Sequence, residues 1–200
     1  MYLSRNEILD LYRKKQIIIR PLLSEDQFGE MTVDFRLGTD FLVSIQGRES
    51  FIDATGTSSS RPIGSFFQET KRLLGESILF HPHQTVLCST LEFVRLPDNI
   101  FITLSTRSSY SRLGLIVASI VQPGYCGCIS LELTNNNNNA LKLSVGASIV
   151  QARFYKLGND TNYFNKSRKY VCQVRPVASK ANLDHELKIL KQIELMNNNI

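Results

Sequence analysis

A mainly β fold of the sandwich or barrel kind is predicted by two features of the sequence. Between residues 77 and 155 short apolar and β-branched runs recur, separated by turn signals at Pro82, Pro97-Asp98-Asn99, Pro123-Gly124, Asn135–Asn139 and Gly146. Earlier, Val33, Phe35 and Leu37 alternate with Thr32, Asp34 and Arg36, the period of a half-buried strand running on to Val43. The chain has 200 residues, 42% hydrophobic and 20% charged, the composition of one globular domain with or without extensions, and wholesale disorder is excluded.

The first element is a helix. Ser4 and Glu7 have capping-box spacing, Ile8, Leu11 and Tyr12 recur at helical intervals, and Arg13, Lys14 and Lys15 suit the negative end of the helix dipole. Ile17, Ile18 and Ile19 form a β-branched run that Pro21 ends. Residues 46–75 carry weaker signals, and Thr57–Pro62 is a polar surface loop. Strands are predicted at Ser77–Phe80, Thr85–Leu96, Ile100–Thr106, Cys128–Thr134, Ala140–Ser144 and Ser148–Tyr155. The asparagine run 135–139 is expected to be a hairpin loop, because Asn tolerates left-handed backbone. Gly158–Ser179 is polar and aromatic with little period. Leu183, Leu187, Leu190 and Ile193 then mark an amphipathic helix over Leu183–Met196, expected to pack on its own domain or on a neighbouring subunit.

Several function classes fall away. No apolar run approaches the roughly 20 residues of a membrane helix, and the N-terminal residues have no secretory h-region. A cytoplasmic protein is expected, with Cys88, Cys126, Cys128 and Cys172 as reduced thiols. The net charge of +5 suits a polyanionic ligand, nucleic acid or nucleoside triphosphate. No basic run exceeds Arg13-Lys14-Lys15, which disfavours a nucleic-acid arm. The His/Cys-x-Glu and Pro-Cys-x-x-Cys pair of zinc-dependent base deaminases is missing. Cys126-Gly127-Cys128 is too tightly spaced for a zinc pair and is expected to serve packing. His81 and His83 flank Pro82 without a carboxylate at metalloprotease spacing, and His185 is isolated. No zinc site is expected, and the glycine-rich phosphate-loop motifs are missing too.

Two constellations can carry chemistry. Residues 105–115 read Ser-Thr-Arg-Ser-Ser-Tyr-Ser-Arg-Leu-Gly-Leu, after a strand. Ser108 is a natural N-cap, Gly114 a C-terminal stop, and Ser108 and Arg112 share a face at i and i+4. Such a strand-to-helix turn with Arg107 is either a phosphate site or a solvated turn. In the second, residues 123–135, Ile129, Leu131 and Leu133 face one side of a strand and Ser130 and Glu132 the other. A carboxylate there is either on the solvent face or held in a site, since uncompensated burial is costly.

These residues carry a family resemblance. Arg107-Ser108-Ser109-x-x-Arg112-Leu113-Gly114-Leu115, then Pro123-Gly124-Tyr125-x-Gly127-x-Ile129-x-Leu131-Glu132, resembles the dCTP deaminase branch of the dUTPase-like family. The likeness extends through Thr32–Gly38, Thr90–Pro97, Gly146–Phe154, Lys169-Tyr170-x-x-Gln173 and Pro176–Ser179, nearly the whole chain. It implies a distorted β-barrel or jelly roll with short helices, residues 1–157 forming the β domain and 158–200 its C-terminal lid and helix. It also implies a homotrimer with active sites between subunits, metal-free deamination of dCTP to dUTP and ammonia, and Mg2+ bound through the triphosphate. By resemblance Glu132 is the general base that activates water, and Ser108 and Arg112 orient water, base and Glu132. Arg107, Ser109 and Lys169 hold phosphates, and Tyr163 and Gln173 belong to the lid. Tyr110, Ser111, Gln122, Ser130 and Leu131 complete the expected substrate contacts.

Two departures bear on function. Most members place an aspartate before the Pro-Gly, where it meets the deoxyribose, and in bifunctional members it also helps activate the water that attacks the triphosphate. Here that residue is Gln122, which cannot act as a base. The segment Ile116–Val121, which contacts the base in the family, is shortened. The expected activity is monofunctional deamination. A bifunctional enzyme that also converts dUTP to dUMP, and a nucleotide-binding regulatory homologue, are the alternatives.

Overall fold

The computed structural model describes residues 1–45, 50–55, 61–117, 119–184, 186–187, 189–190 and 192–193. Helix α1 spans Arg5–Arg13 and opens with the predicted capping box: Glu7 Oε2 accepts from the Ser4 N–H at 2.8 Å and from its hydroxyl at 2.7 Å. Ile8 and Leu9 are buried against the sheet. Ser4 and Glu7 thus fix the helix start, and the apolar stripe fixes the face that docks.

The strands are β1 (Ile18–Arg20), β2 (Thr32–Ser44), β3 (Phe67–Lys71), β4 (Ser77–Phe80), β5 (Thr85–Arg95), β6 (Ile100–Thr106), β7 (Leu115–Ile116), β8 (Ser119–Val121), β9 (Cys126–Asn135), β10 (Leu141–Ser144) and β11 (Ser148–Lys156). Among the described residues the main sheet runs β7-β9-β5-β2-β11-β6-β8, with β1 paired to β5 and β3 to β2, while β4 and β10 form a ribbon. Long β2 turns the corner. Its first half, Thr32–Arg36, pairs with β11, and its second, Leu37–Ser44, with β5 and β3. Register shifts lie between Leu37 and Phe41 and between Ser89 and Phe93, where bulges bend long strands. Alternate residues of these strands, among them Val33, Phe35, Leu37, Val86, Ile102, Leu131, Leu133 and Phe154, fill one core.

A buried polar cluster stands at the bend. The Glu92 side chain is 0% exposed and meets the Arg36 guanidinium at 3.0 Å, with Arg36 15% exposed. Glu92 also accepts from the Arg36 N–H at 2.9 Å and the Gln27 amide at 3.2 Å. Burial pushes the Glu92 carboxyl up, while these donors favour its charged form. Beside it, Thr90 accepts from the Ile129 N–H at 2.9 Å and donates to the Glu92 carbonyl at 2.7 Å, bridging the irregular stretch between β5 and β9.

Some expectations change. The predicted strands form, β9 starting at Cys126 and β10 at Leu141. Strand β3 emerges from the region without signal: Phe-Gln-Glu-Thr-Lys has no alternation and is held by pairing with β2. The asparagine turn closes no hairpin, because β9 pairs with β5 and β7 while β10 pairs with β4, and it does not use left-handed backbone, since the non-glycine residues with positive φ are Lys15, His83 and Cys172 among those described. Its side chains build it instead. Buried Asn135 donates to the Phe80 and Asn139 carbonyls, both at 2.9 Å, and accepts from the Asn137 N–H at 2.9 Å. Residues 57–60 of the expected loop lie outside the described residues. Of the expected terminal helix, Leu183 ends a 3-10 turn, Ala181–Leu183, and the helical residues described are 186, 187, 189, 190, 192 and 193. Leu183, Leu190 and Ile193 are exposed and Leu187 is half-buried. The rest of that span lies outside the described residues.

Candidate active site

Strand β9 forms the floor of a cleft. Ile129, Leu131 and Leu133 point into the core, which commits Cys126, Cys128, Ser130 and Glu132 to the opposite face. Over that face runs the segment after β11, here called the strap. Between floor and strap lies a cleft of about 870 Å3 lined by Gln122, Ser130, Leu131, Glu132, Tyr163, Lys169 and Gln173, with Tyr125, Phe164, Arg168 and Asp184. Leu131 is fully buried and contributes backbone.

Definite contacts seat the strap. The Gln173 carbonyl accepts from the Cys128 N–H at 2.8 Å, and the side chains of Ser130 and Gln173 hydrogen-bond at 2.7 Å. Gly127 permits this approach. Its φ is +149°, and a Cβ there would stand 2.4 Å from the Gln173 carbonyl oxygen. Nearer β11, the Thr161 N–H and hydroxyl both donate to the Asp98 carbonyl, at 2.8 and 2.9 Å. The Arg168 guanidinium lies 4.0 Å from the centre of the Tyr163 ring, and the Lys169 ammonium pairs with Asp184.

The Glu132 side chain is exposed at the mouth of the cleft, yet the walls around it strip away enough water to raise its carboxyl above the ordinary value. A carboxylate so perturbed moves toward the range of a general base at neutral pH. Tyr125 is raised more strongly, first by burial, and its hydroxyl donates to the Cys128 carbonyl at 2.6 Å, a structural bond under the floor.

The other constellation stands apart. Helix α2, Ser108–Ser111, follows β6 with Arg107 as its N-cap, so Ser108 is the first helical residue rather than the cap. Arg112 closes it, its N–H donating to the Ser108 carbonyl at 3.1 Å, and Gly114 follows at φ +85°. None of Arg107, Ser108, Ser109, Tyr110, Ser111 and Arg112 lines the cleft. Arg107 is held by Asp34 at 3.1 Å and by the Ser148 carbonyl at 3.2 Å, a partnership the sequence did not suggest. Ser111 bonds Thr106 at 2.6 Å, and Tyr110 packs on the core. Ser108, Ser109 and Arg112 are exposed and make no side-chain hydrogen bond or ion pair among the described residues. The expected approach of Arg112 to Glu132 does not occur within one chain, and no cation pairs with Glu132 among the described residues.

A family model described as dCTP deaminase-like matches residues 2–157. The chain belongs to the dCTP deaminase-like family. Among curated relatives, a "dCTP deaminase, dUMP-forming" of Dictyoglomus thermophilum is 36% identical over 196 residues, 92% of this chain and 96% of that protein. A "dCTP deaminase" of Halorubrum lacusprofundi is 32% identical over 193 residues, 93% of this chain and 94% of that one. A crystal structure of 2'-deoxycytidine 5'-triphosphate deaminase from Agrobacterium tumefaciens is similar at a TM-score of 0.58 and 21% identity, over 76% of this chain and 47% of that one, a likeness of fold. The architecture is mainly β, a curled sheet like that of the deaminase structure, and the chain is an enzyme, a hydrolase of the deaminase type. Within this dCTP deaminase-like chain no helix among the described residues is long and apolar enough to cross a membrane.

Tyr125, Phe164, Arg168, Asp184 and Asp34 are site or site-supporting residues that the sequence reading did not assign. Phe164 and Arg168 adjoin the expected Tyr163 and Lys169, and that proximity was the available signal.

Proposed function

We propose that the protein deaminates dCTP hydrolytically, releasing dUTP and ammonia, in the cleft between β9 and the strap. The observation that carries this reading is Glu132, a solvent-accessible carboxylate on the floor of a nucleotide-sized cleft, beside Ser130 and Gln173. Glu132 takes a proton from water, the hydroxide adds to cytosine C4, and the same proton passes to the departing amine. The strap carries Tyr163, Lys169 and Gln173 over the bound nucleotide and keeps bulk water out. Mg2+ comes with the triphosphate as part of the substrate.

Ser108, Ser109 and Arg112 then act on the cleft of a neighbouring copy in a homotrimer. Their exposure without side-chain partners among the described residues supports this, as does a Glu132 with no cation paired to it among those residues. Arg107, oriented by Asp34, presents its remaining guanidinium donors to phosphate in the same way. We place the enzyme in the cytoplasm, where its nucleotide substrate is found. A product of dUTP follows from Gln122, an amide at the cleft wall that cannot take a proton from water. A second reading, further cleavage to dUMP, is favoured by the name of the Dictyoglomus relative.

The test is incubation with each common ribo- and deoxyribonucleoside triphosphate and Mg2+, with chromatography of the products, for the parent and Glu132→Gln. The parent should release ammonia and dUTP from dCTP alone, and the variant should lose about 10²–10⁴ in rate while still binding dCTP. Appearance of dUMP and diphosphate would select the second reading. A fully active Glu132→Gln would remove Glu132 from the mechanism.

A further inference from the structure

Of the four cysteines, Cys88 is buried in the core and is pushed up by burial. The other three gather where the strap crosses β9. Cys126 and Cys128 lie half-buried on the cleft face of the strand, and Cys172 is exposed on the strap at φ +49°, immediately before Gln173. Two contacts fix how these segments meet: the 2.8 Å bond from the Cys128 N–H to the Gln173 carbonyl, and the bare Gly127, where a Cβ would stand 3.0 Å from the Gln173 nitrogen. Cys172 precedes Gln173 and Cys126 precedes Gly127, so the close approach of Gly127 to Gln173 sets Cys172 beside Cys126, near enough for each thiol to influence the other.

We propose that Cys126 and Cys172 form a reversible disulfide that fastens the strap to the floor of the cleft. The oxidant is a low-molecular-weight disulfide such as oxidised glutathione. The exposed Cys172 attacks first as thiolate, forming a mixed disulfide and releasing one glutathione thiolate. The Cys126 thiolate then attacks the Cys172 sulfur, forming the protein disulfide and releasing the second. Two protein thiols lose two electrons and two protons, and one glutathione disulfide becomes two glutathione thiols. Burial and the neighbouring sulfur hold the Cys126 thiol up, while Arg95 favours its thiolate, so Cys126 suits the resolving step.

The bond would sit next to Gln173, whose carbonyl and side chain already dock on Cys128 and Ser130. Fastened there, the strap cannot lift, and nucleotide exchange through the cleft slows. The disulfide itself does not depend on reading the cleft as a deaminase site, whereas its effect on turnover does.

The test is to treat the intact protein with excess oxidised glutathione, alkylate remaining thiols, and map peptides by non-reducing mass spectrometry. The expected result is a Cys126–Cys172 peptide pair within one chain, reversed by dithiothreitol, lost in Cys172→Ser and kept in Cys128→Ser. In parallel, proteolysis after residue 158 should slow on oxidation, and dCTP turnover should fall at least tenfold in the parent and in Cys128→Ser but not in Cys172→Ser. Glutathione left on Cys172 with Cys126 alkylated, a link through Cys128, or a link between chains would overturn the pairing. A confirmed disulfide without added protease protection would overturn the fastening. A confirmed and protected disulfide in a protein that does not turn over dCTP would leave this inference standing and sink the deaminase reading alone.

Discussion

Gly127→Ala isolates the seating of the strap from the chemistry. The substitution adds one methyl group at φ +149°, a backbone region that is nearly glycine's alone and costs about 1–3 kcal/mol for another residue. The new Cβ would also lie 2.4 Å from the Gln173 carbonyl oxygen. That atom is backbone and cannot swing aside, so the strap must lift, losing the bonds from the Cys128 N–H and to the Ser130 side chain. Each is worth about 0.5–1.5 kcal/mol net. Together they are worth about 1–3 kcal/mol, or about 5- to 150-fold in the docked population at tenfold per 1.4 kcal/mol. The expected outcome is a folded protein whose residues beyond 158 are cleaved readily and whose dCTP affinity falls within that range. Calorimetric titration and timed proteolysis read the two effects. Gly158→Ala, with nothing within 4 Å of its added Cβ, is the control and should behave as the parent. A Gly127→Ala protein with parental affinity and parental protection would show that the strap does not close the cleft through this contact.

Three further outcomes follow from the same geometry. If Arg112 and Glu132 meet across subunits, mixing the inactive Arg112→Ala and Glu132→Gln proteins under conditions of subunit exchange should restore about a quarter of parental turnover, the share of correctly paired sites in randomly mixed trimers. No recovery in confirmed mixed trimers would place both groups in one chain's site. Because the folded pKa of Glu132 is raised, its protonated form stabilises the protein at low pH and that contribution fades as pH rises through the folded pKa. Glu132→Gln should therefore melt no lower than the parent at neutral pH, and parental kcat/KM should show an acid limb with its midpoint above 4.5, the ordinary value. Glu92→Ala leaves Arg36 and Gln27 without their buried acceptor and should destabilise by about 3–5 kcal/mol, read by thermal melting at fixed protein concentration. A melting point within a degree or two of the parent would mean that the cluster relaxes to solvent.

Legibility in the sequence tracked the range of the interactions. The Ser4–Glu7 box and the alternation of β2, β9 and β11 are local, and the structure keeps them. Strand β3 was hidden because its five residues are held by β2 and bury little of themselves. Glu92 sits in a run, Thr-Leu-Glu-Phe-Val, that reads as an ordinary strand with one solvent-facing charge. Its partner Arg36 is 56 positions away, so nothing local marked it as buried. For the same reason Cys126-Gly127-Cys128 read as packing: Cys172 comes within reach only through the strap. The asparagine run is a turn as expected but not a hairpin, since it carries the chain from β9 in the main sheet to β10 in the ribbon with β4, and side-chain bonds rather than left-handed backbone shape it. Of the expected site, one chain brings together Glu132, Ser130, Gln122, Tyr163, Lys169 and Gln173, while the α2 residues face elsewhere.

The position of Glu132 is itself a consequence of the core. Ile129, Leu131 and Leu133 are at most 1% exposed, and Leu131 and Leu133 stand opposite Cys88 and Val86 of β5. A slip of one residue would expose these three side chains and drive Ser130 and Glu132 inward, costing about 1.5–3 kcal/mol for each apolar side chain before the buried charge is counted. The core therefore holds the carboxylate in place on its own account. Packing on one face of β9 thus dictates the chemistry presented on the other. The strap has only to meet a carboxylate whose place is already set.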